Sequence, residues 1–565
     1  MAHLYKKVKN GRDYYYIRET QRVYGKPTTI NQVYLGTADK ARALLGEGNE
    51  GGFSPKEFGS VFVLHELDRG LNLARLVDAI LPAKKRVRGP SLGELIFYAA
   101  MNRAISPTSK RQLASWYETT DIQRIRPLRQ ESLSSQNFWN HYDRIGEAEL
   151  EKMVTAFFRK VHTLLPPQDE PLLLEVANLA PSLRSPTSAE AEGRDPFPPL
   201  PSPQMGLALI TGQATGVPRY FRIFPGGLPG SGVLNGYVDG LLAPLARLGV
   251  DARDLTVIFN QDIDSQALAR LDAAGFHFIA PSANLAAEAA RVPLKDFRPL
   301  PGMPGRMAAE RPEDEDPVLY FESRVPLGGR QRRLLITFDP RRFQKSYQDL
   351  RKKVQKVQRE LTALARQSPG KAGEDFATHL AQVCQRLDLS PSLFQLKLPR
   401  PEGRPALAWQ LDHHQVQEAV RRLGKTVLIT DREDWPAREI YQVYTQRLVL
   451  KTLGPNGNRA AETRHPFNLP LTPLYHWTNS KIRVHFFVCI IALTYLALLG
   501  QRLRAAGLEI SPREAIEEMR ALCTAIYVTK PEGKLRRALD KVSDSQLAIL
   551  RALGFQVQDG KILPL

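Results

Sequence analysis

The chain has 565 residues, 43% of them hydrophobic, and 78 Lys and Arg residues against 59 Asp and Glu give it a formal net charge of +19. This length allows several domains with a large buried core, and the composition is ordinary for a soluble globular protein. The basic excess favours a polyanionic partner over mere solubility, because phosphates that Lys and Arg neutralise release their condensed counterions.

The cysteines and the amino terminus limit the class of protein further. Cys384, Cys489 and Cys523 lie far apart and form no Cys-x-x-Cys pair. This argues against a disulfide framework or a zinc finger and suits the reducing cytoplasm. The opening stretch MAHLYKKVKNGRDYYY has no apolar run, so it does not indicate a signal peptide.

Residues 1–40 predict a β-hairpin ribbon, because polar residues alternate with aromatic and aliphatic ones around the turn signal KNGR. Lys6, Lys7, Lys9 and Arg12 stand beside three consecutive tyrosines, 14–16, and such a ribbon could lie on DNA. A small solvated sheet with one packed face accounts for the pattern equally well.

Residues 60–165 have apolar residues at three- and four-residue spacing and predict helices. Helix starts are expected after Ser109 and near Ser134, which can cap them. Lys110 and Arg111 follow Ser109, so this region is a candidate DNA-binding region, although the same periodicity fits a helical bundle.

Residues 166–290 carry short strand patterns at 171–176, 205–210, 219–224 and 255–259, and helical patterns flank the last of them. This order predicts an α/β fold with a mixed sheet covered by helices. Residues 291–430 follow as an inserted α+β domain. It has a hairpin turning at Gly328-Gly329, a strand at 425–430, and a long basic helix at 341–366 that carries Lys352 and Lys353.

Residues 431–505 and 506–565 complete the chain. The apolar run VHFFVCIIALTYLALLG, 484–500, is short for a membrane span and contains His485, so it predicts a buried core helix and no membrane partner. The tail, 506–565, reads as a small helical cap with a capping box from Ser511 to Glu514.

Several segments resemble, in the same order, bacterial insertion-sequence transposases of the DDE type, in the group with a Y-x2-R-x3-E-x6-K signature. They are KKVKNGRDYYYIRET, RAISPTSKRQLASW, KTVLITDREDWPAREIYQVYTQR and PLYHWTNSKIRVHFFVCIIAL. The resemblance implies an RNase H-like core, 166–290 and 431–505, interrupted by a β-rich insertion. It also implies double-stranded DNA as the partner and a nucleoid-associated location in the bacterial cytoplasm. The residues expected to contact DNA are Lys6, Lys7, Lys9, Arg12, Lys110, Arg111, Lys352, Lys353, Arg447, Lys451, His476, Trp477, Lys481 and Arg483.

The chemistry of that family requires two Asp and one Glu to hold two divalent cations, which activate a water or a 3′-hydroxyl at a phosphodiester. The first acid maps onto Glu175, which keeps the charge but is one methylene longer than Asp. The second maps onto Asn260, which has lost the charge. Asp262, two residues further on, is a weak substitute, because an Asp at this position also suits a helix cap.

The third acid belongs to the tyrosine–arginine signature. Tyr444 and Arg447 match it, whereas Lys451 stands at the glutamate position and Asn458 at the lysine position. An ammonium about 4 Å from a divalent cation is repelled by roughly 8 kcal/mol at an effective dielectric near 20. No metal cofactor is therefore expected.

Three hypotheses follow. The first is a transposase-derived DNA-binding protein that no longer cuts DNA. The second is an active transposase with relocated acids, which would need Mg²⁺ or Mn²⁺. The third is a regulatory or structural partner of another transposase or protein complex. A homodimer fits any of them.

Overall fold

A computed structural model of the chain describes residues 2–45, 53–82, 89–167, 170–179, 205–225, 240–241, 243–251, 255–259, 262–301, 317–367, 373–397, 408–445, 479–529 and 534–565. The chain divides into two compact units. The first unit comprises Met1–Pro229, Asp239–Asp251 and Leu448–Leu565, and the second comprises Gly230–Val238 and Ala252–Arg447.

The strands, in chain order, are β1 (Ala2–Lys9), β2 (Arg12–Val23), β3 (Lys26–Gly36), β4 (Phe53–Glu57), β5 (Leu172–Leu179), β6 (Met205–Gly212), β7 (Pro218–Pro225), β8 (Thr256–Phe259), β9 (His277–Pro281), β10 (Arg298–Pro299), β11 (Leu319–Leu327), β12 (Arg330–Phe338), β13 (Phe394–Lys397), β14 (Ala408–Leu411), β15 (Lys425–Thr430), β16 (Cys523–Thr529), β17 (Lys534–Leu539), β18 (Phe555–Gln558) and β19 (Lys561–Pro564).

The helices are α1 (Ala38–Leu45), α2 (Gly59–Leu71), α3 (Leu73–Ile80), α4 (Leu92–Ile105), α5 (Leu113–Thr119), α6 (Ser135–Tyr142), α7 (Glu147–Leu164), α8 (Ser265–Ala274), α9 (Ala286–Arg291), α10 (Pro340–Gln367), α11 (Gly373–Leu387), α12 (His413–Arg422), α13 (Ala437–Thr445), α14 (Asn479–Ala505), α15 (Pro512–Arg520) and α16 (Asp544–Ala552). The described chain is therefore mixed α/β.

The first unit is built on α14, the apolar helix that the sequence predicts to be buried. It packs against α4 and also contacts α2, α6 and α7. The helix is long and apolar enough to cross a membrane, but 94% of its most apolar window lies inside the protein. Tyr495, in the middle of α14, donates a hydrogen bond of 2.8 Å to the buried carboxylate of Asp68 on α2, so even the polar groups of this helix point to partners inside the unit.

Four groups of antiparallel strands complete the described part of the first unit, and one of them is the pair β18 and β19. Strands β1, β2 and β3 form a meander, β5, β6 and β7 form another, and β16 lies between β17 and β4. Residues 1–36 therefore form three strands, where the sequence predicts a hairpin. The tail also differs from the predicted helical cap, since 506–565 contains β16–β19 beside α15 and α16. The predicted capping box is confirmed, because Ser511 and Glu514 cap α15 reciprocally.

The second unit contains a mixed sheet with the order β10-β11-β12-β15-β9-β8. All neighbours are antiparallel except β8 and β9, which are parallel. The sequence places 291–430 in an inserted domain apart from 166–290, but β12 and β15 extend the sheet of β8 and β9. Pairing of this kind is non-local, so strand patterns along the chain do not reveal it. The predicted turn at Gly328-Gly329 is confirmed, and both glycines have the positive φ, +61° and +76°, that a tight hairpin requires.

Helix α10 confirms the long basic helix that the sequence predicts, and its apolar side packs against α11. Val357 and Leu361 of α10 contact a buried group around Leu380, Val383 and Cys384 of α11. Strands β13 and β14 pair with each other beside these helices. The opposite side of α10 is exposed and carries the charged residues.

Candidate nucleic-acid interface

The meander β1-β2-β3 presents one face to solvent. Alternate residues of β2 point to that face, and the strand register places their partners beside them: Tyr16 stands opposite Tyr5 and Tyr34, and Tyr14 opposite Lys7. We call this surface the outer face; its residues are His3, Tyr5, Lys7, Lys9, Arg12, Tyr14, Tyr16, Arg18, Gln32 and Tyr34.

The tyrosines of the outer face form a continuous aromatic group. Ring centroids are 6.5 Å apart for Tyr5 and Tyr16, 5.2 Å for Tyr16 and Tyr34, and 6.2 Å for Tyr14 and Tyr34. The guanidinium of Arg18 lies 3.6 Å from the Tyr5 ring centroid. Tyr34 is 57% exposed, which is unusual for a large aromatic side chain unless it meets a partner. Rings and guanidinium groups of this kind stack on nucleotides.

The predicted cations do not all share this face. Lys7, Lys9 and Arg12 belong to the outer face and are exposed. Lys6 stands opposite Tyr15, on the other side of the sheet, and its ammonium pairs with Asp13 at 3.1 Å. The basic patch is thus carried by three of the four cations that the sequence singles out, and Arg18 joins them.

The inner face of the meander is packed along β2 and β3, so the outer face has a fixed orientation in the first unit. Ile17 and Leu35 are buried against Ala41 of α1 and Ile526 of β16. The sequence allows either a small sheet with one packed face or a basic, aromatic ribbon. The structure has features of both, because the packed side lies opposite a basic and aromatic face. The residues that the sequence interpretation missed are Tyr5, Arg18 and Tyr34. The two-residue spacing from Tyr14 through Tyr16 to Arg18 on one strand was the available signal.

A second basic surface lies on α10 in the second unit. The helix has nine Lys and Arg residues and two acidic ones. Lys352 is exposed, as predicted for a phosphate contact, whereas Lys353 is half-buried and pairs with Asp349 at 3.3 Å. Exposed ion pairs of this type are weak, so Lys353 retains most of its capacity to meet a phosphate.

The predicted helical region places its cations unevenly. Ser134 caps α6 by accepting a hydrogen bond from the Asn137 amide, as predicted, but α5 begins at Leu113 with no side-chain cap, so the start expected after Ser109 is not observed. Arg111 is exposed. Lys110 is half-buried, with its ammonium 5.4 Å from the Phe138 ring centroid.

Lys481 and Arg483 occupy positions different from those that the sequence predicts for DNA contacts. Lys481 is 3% exposed, and its ammonium pairs with Asp143 at 2.5 Å and lies 3.1 Å from the Trp139 ring centroid. Arg483 pairs with Glu147. These cations hold α14 to the segment around α6 and α7, and their charges are already compensated.

The positions expected for catalysis are only partly described. Glu175 is buried on β5, Tyr444 is buried on α13, and Asp262 accepts a hydrogen bond of 2.7 Å from the Ala283 amide. Asp262 thus has a structural use within the second unit. Within the described residues no cluster of three or more His, Cys, Asp or Glu could hold a metal ion. The remaining predicted site positions, which lie outside the described residues, are Asn260, Arg447, Lys451, His476 and Trp477.

The chain was compared with protein families, curated proteins and solved structures. No protein-family model matches the chain, and no curated protein matches it. Among solved structures, the chain is similar to one described as the cryo-EM structure of a piggyBac transposase synaptic complex with hairpin DNA, at 10% sequence identity and a TM-score of 0.30. That similarity covers 81% of this chain and 78% of the other, and its TM-score is too low to establish a shared fold.

Proposed function

We propose that this protein binds double-stranded DNA through the outer face of its amino-terminal sheet and does not cleave it. The observation that carries the proposal is the concentration of Lys7, Lys9, Arg12 and Arg18 around four tyrosines on one exposed face. The formal net charge of +19 supports the same partner, because each phosphate that a Lys or Arg neutralises releases a counterion.

The shape of the outer face suits a duplex. Strands are about 4.8 Å apart, and the major groove, roughly 12 Å wide, admits a two-stranded β-ribbon such as β1 and β2. Exposed Lys and Arg side chains at its edge would contact phosphates and fix the register on the duplex, while the tyrosines would pack on sugars and base edges. Arg111 is an additional phosphate contact in this proposal, and the exposed cations of α10 form a second, separate basic surface.

The absence of cleavage is proposed from the residues at the catalytic positions of the resembling family. With Glu175, Asn260 and Lys451 there, the set has one acid, one amide and one ammonium in place of three carboxylates. Two divalent cations need the negative oxygens that this set lacks. An RNase H-like core with an insertion, inherited from a transposase ancestor, belongs to the same proposal. Asp262, the candidate substitute for the second acid, already accepts a hydrogen bond from the Ala283 amide.

The proposal is tested by DNA binding measured as fluorescence anisotropy over a salt series, with and without EDTA. We expect affinity to fall steeply with salt and to be insensitive to EDTA. The double variant Lys7→Ala/Arg12→Ala should lower the magnitude of the log–log salt slope by about 2, since each lost phosphate contact removes about 0.9. The matched control is Lys152→Ala/Arg159→Ala, which removes two exposed cations from α7 and should leave the slope unchanged.

Two outcomes would count against this function. Equal salt slopes for both double variants would remove the outer face from the interface. Metal-dependent nicking of the bound duplex would favour an active transposase with relocated acids instead. Mass measurement of the complex would show in addition whether a homodimer or another protein takes part.

A further inference from the structure

Two cations lie close together among the helices of the first unit without a carboxylate beside them. Arg103 on α4 is 5% exposed, and Lys110, in the segment between α4 and α5, is half-buried. In the part of the chain that the structure describes, neither side chain pairs with an Asp or Glu.

An imidazole, a thiol and a phenyl ring lie beside these cations. Arg103 Nη2 lies 3.2 Å from His485 Nε2, and Cys489 Sγ lies 3.5 Å from the same nitrogen. The ammonium of Lys110 lies over the Phe138 ring. An imidazole and a thiol orient the guanidinium but do not neutralise it.

A third donor points to the same place. Tyr142, one turn after Phe138 on α6, is 1% exposed, and its hydroxyl has no hydrogen-bond partner among the described residues. Its ring centroid lies 5.8 Å from that of Phe138, the ring over which the Lys110 ammonium lies. Burial raises the pKa of the Tyr142 hydroxyl, which therefore keeps its proton and stays a donor. Buried hydroxyls in folded proteins nearly always have a partner.

The electrostatics of this cluster are unfavourable without an anion. Burial and the charge of Arg103 lower the pKa of Lys110 to about 8. Two like charges removed from water repel each other more strongly than on the surface, and the usual compensation is an anion that accepts several charge-assisted hydrogen bonds.

We propose that Arg103, Lys110 and Tyr142 form a binding site for a phosphate group, with His485 positioning the guanidinium. The group is a phosphate monoester or diester, supplied as free phosphate or by the backbone or a 5′ end of DNA. The site is separate from the outer face, so it can exist whether or not that face binds DNA.

The decisive variant is Lys110→Met, which keeps the length of the side chain and removes its charge. If the site binds phosphate, inorganic phosphate at about 100 times its Kd should raise the Tm of the wild-type chain by about 5 °C, relative to chloride at equal ionic strength. The same phosphate should not raise the Tm of Lys110→Met. Without phosphate, Lys110→Met should be at least as stable as the wild type, because it removes an uncompensated buried charge.

A control and a second ligand separate the sources of phosphate. Lys152→Met removes an exposed cation on α7 and should respond to phosphate as the wild type does. A short duplex with a 5′-phosphate should bind more tightly than its 5′-hydroxyl counterpart if a DNA end enters the site, and Lys110→Met should abolish that difference. Equal affinities for the two duplexes, with the phosphate-dependent Tm rise intact, would identify free phosphate as the ligand. No phosphate-dependent rise in the Tm of the wild type would overturn the proposal, even if the outer face binds DNA.

Discussion

The guanidinium of Arg537 on β17 pairs with the carboxylate of Glu19 on β2 at 2.8 Å, across a sequence separation of 518 residues. Both side chains are buried, and Arg537 also donates to the Ser54 and Thr524 carbonyl oxygens. The pair fixes the inner face of the amino-terminal meander to the carboxyl-terminal strands. The orientation of the outer face thus depends on residues at the other end of the chain.

Replacing Arg537 by methionine should destabilise the first unit strongly. The change leaves the Glu19 carboxylate buried without its guanidinium, and removal of one partner from a buried pair costs about 3–5 kcal/mol. The free energy of unfolding, measured in urea, checks this. Arg536→Met is the matched control, because Arg536 is exposed on the same strand, and it should change stability by less than about 1 kcal/mol.

The same pair predicts that the free energy of unfolding falls at acid pH. Burial raises the pKa of Glu19, but the hydrogen bonds and charge of Arg537 outweigh burial and hold that pKa below 4.5. A carboxyl group with a lowered pKa in the folded state contributes stability above its unfolded pKa, and the contribution is lost as pH falls below about 4.5. Glu19→Gln should lower the free energy of unfolding at pH 7 and flatten its fall below pH 4.5. If stability fell below pH 4.5 as steeply in Glu19→Gln as in the wild type, Glu19 would not be the cause of that fall.

Two buried histidines predict a second pH range in which the stability of the fold changes. Burial, followed by the charges of Arg126 and Arg69, lowers the pKa of His65 to about 4, and burial lowers that of His162 to the same value. The unfolded chain therefore binds more protons than the folded chain between about pH 6.5 and 4, so stability is lost as pH falls through that range.

The variant His162→Gln should remove part of that loss. We expect the difference in unfolding free energy between pH 7 and pH 4.5 to shrink by about 2 kcal/mol, since a neutral amide takes up no proton. His141→Gln is a suitable control, because His141 lies on α6 and is only half-buried. Equal pH profiles for wild type and His162→Gln would show that this imidazole does not resist protonation.

Local features of the fold were predictable from the sequence because they depend on neighbouring residues. Helix α10, the caps at Ser134 and Ser511, the strands β5 to β8 and the turn at Gly328-Gly329 all appear close to their predicted places. Each follows from side-chain periodicity or from a residue that satisfies free backbone groups at a helix end.

Long-range features were not predictable, and the candidate site depends on them. The family resemblance implies that Lys481 contacts DNA, but Asp143 and Trp139, far away in the sequence, pair with it and cover it. Similarly, β16 pairs with β4, which turns the expected helical cap into part of a sheet. Nothing in a single strand pattern specifies a partner from the other end of the chain.

The aromatic component of the outer face can be tested separately from its charge. Tyr34→Ala should weaken DNA binding by roughly tenfold, since truncation of an aromatic anchor at an interface costs about 1–2 kcal/mol. It should leave the salt slope unchanged, because no phosphate contact is lost. Tyr34→Phe keeps the ring and should bind nearly as tightly as the wild type. If both variants bind like the wild type, the aromatic group lies outside the interface.

The proposed loss of cleavage makes a prediction about metal affinity. The wild-type chain should bind Mn²⁺ weakly at most and should not nick duplex DNA at any Mg²⁺ or Mn²⁺ concentration. The double variant Asn260→Asp/Lys451→Glu replaces an amide and an ammonium by carboxylates. Even half of the roughly 8 kcal/mol of repulsion, if relieved, corresponds to about three decades of metal affinity. Titration followed by Mn²⁺ electron paramagnetic resonance should therefore show at least about 100-fold tighter binding in the variant.

Asp262→Asn in the wild-type background is the control, since Asp262 is proposed to cap the Ala283 amide and not to hold metal. Wild-type nicking that disappears in Asp262→Asn would reverse the assignment and make Asp262 the relocated acid of a working transposase.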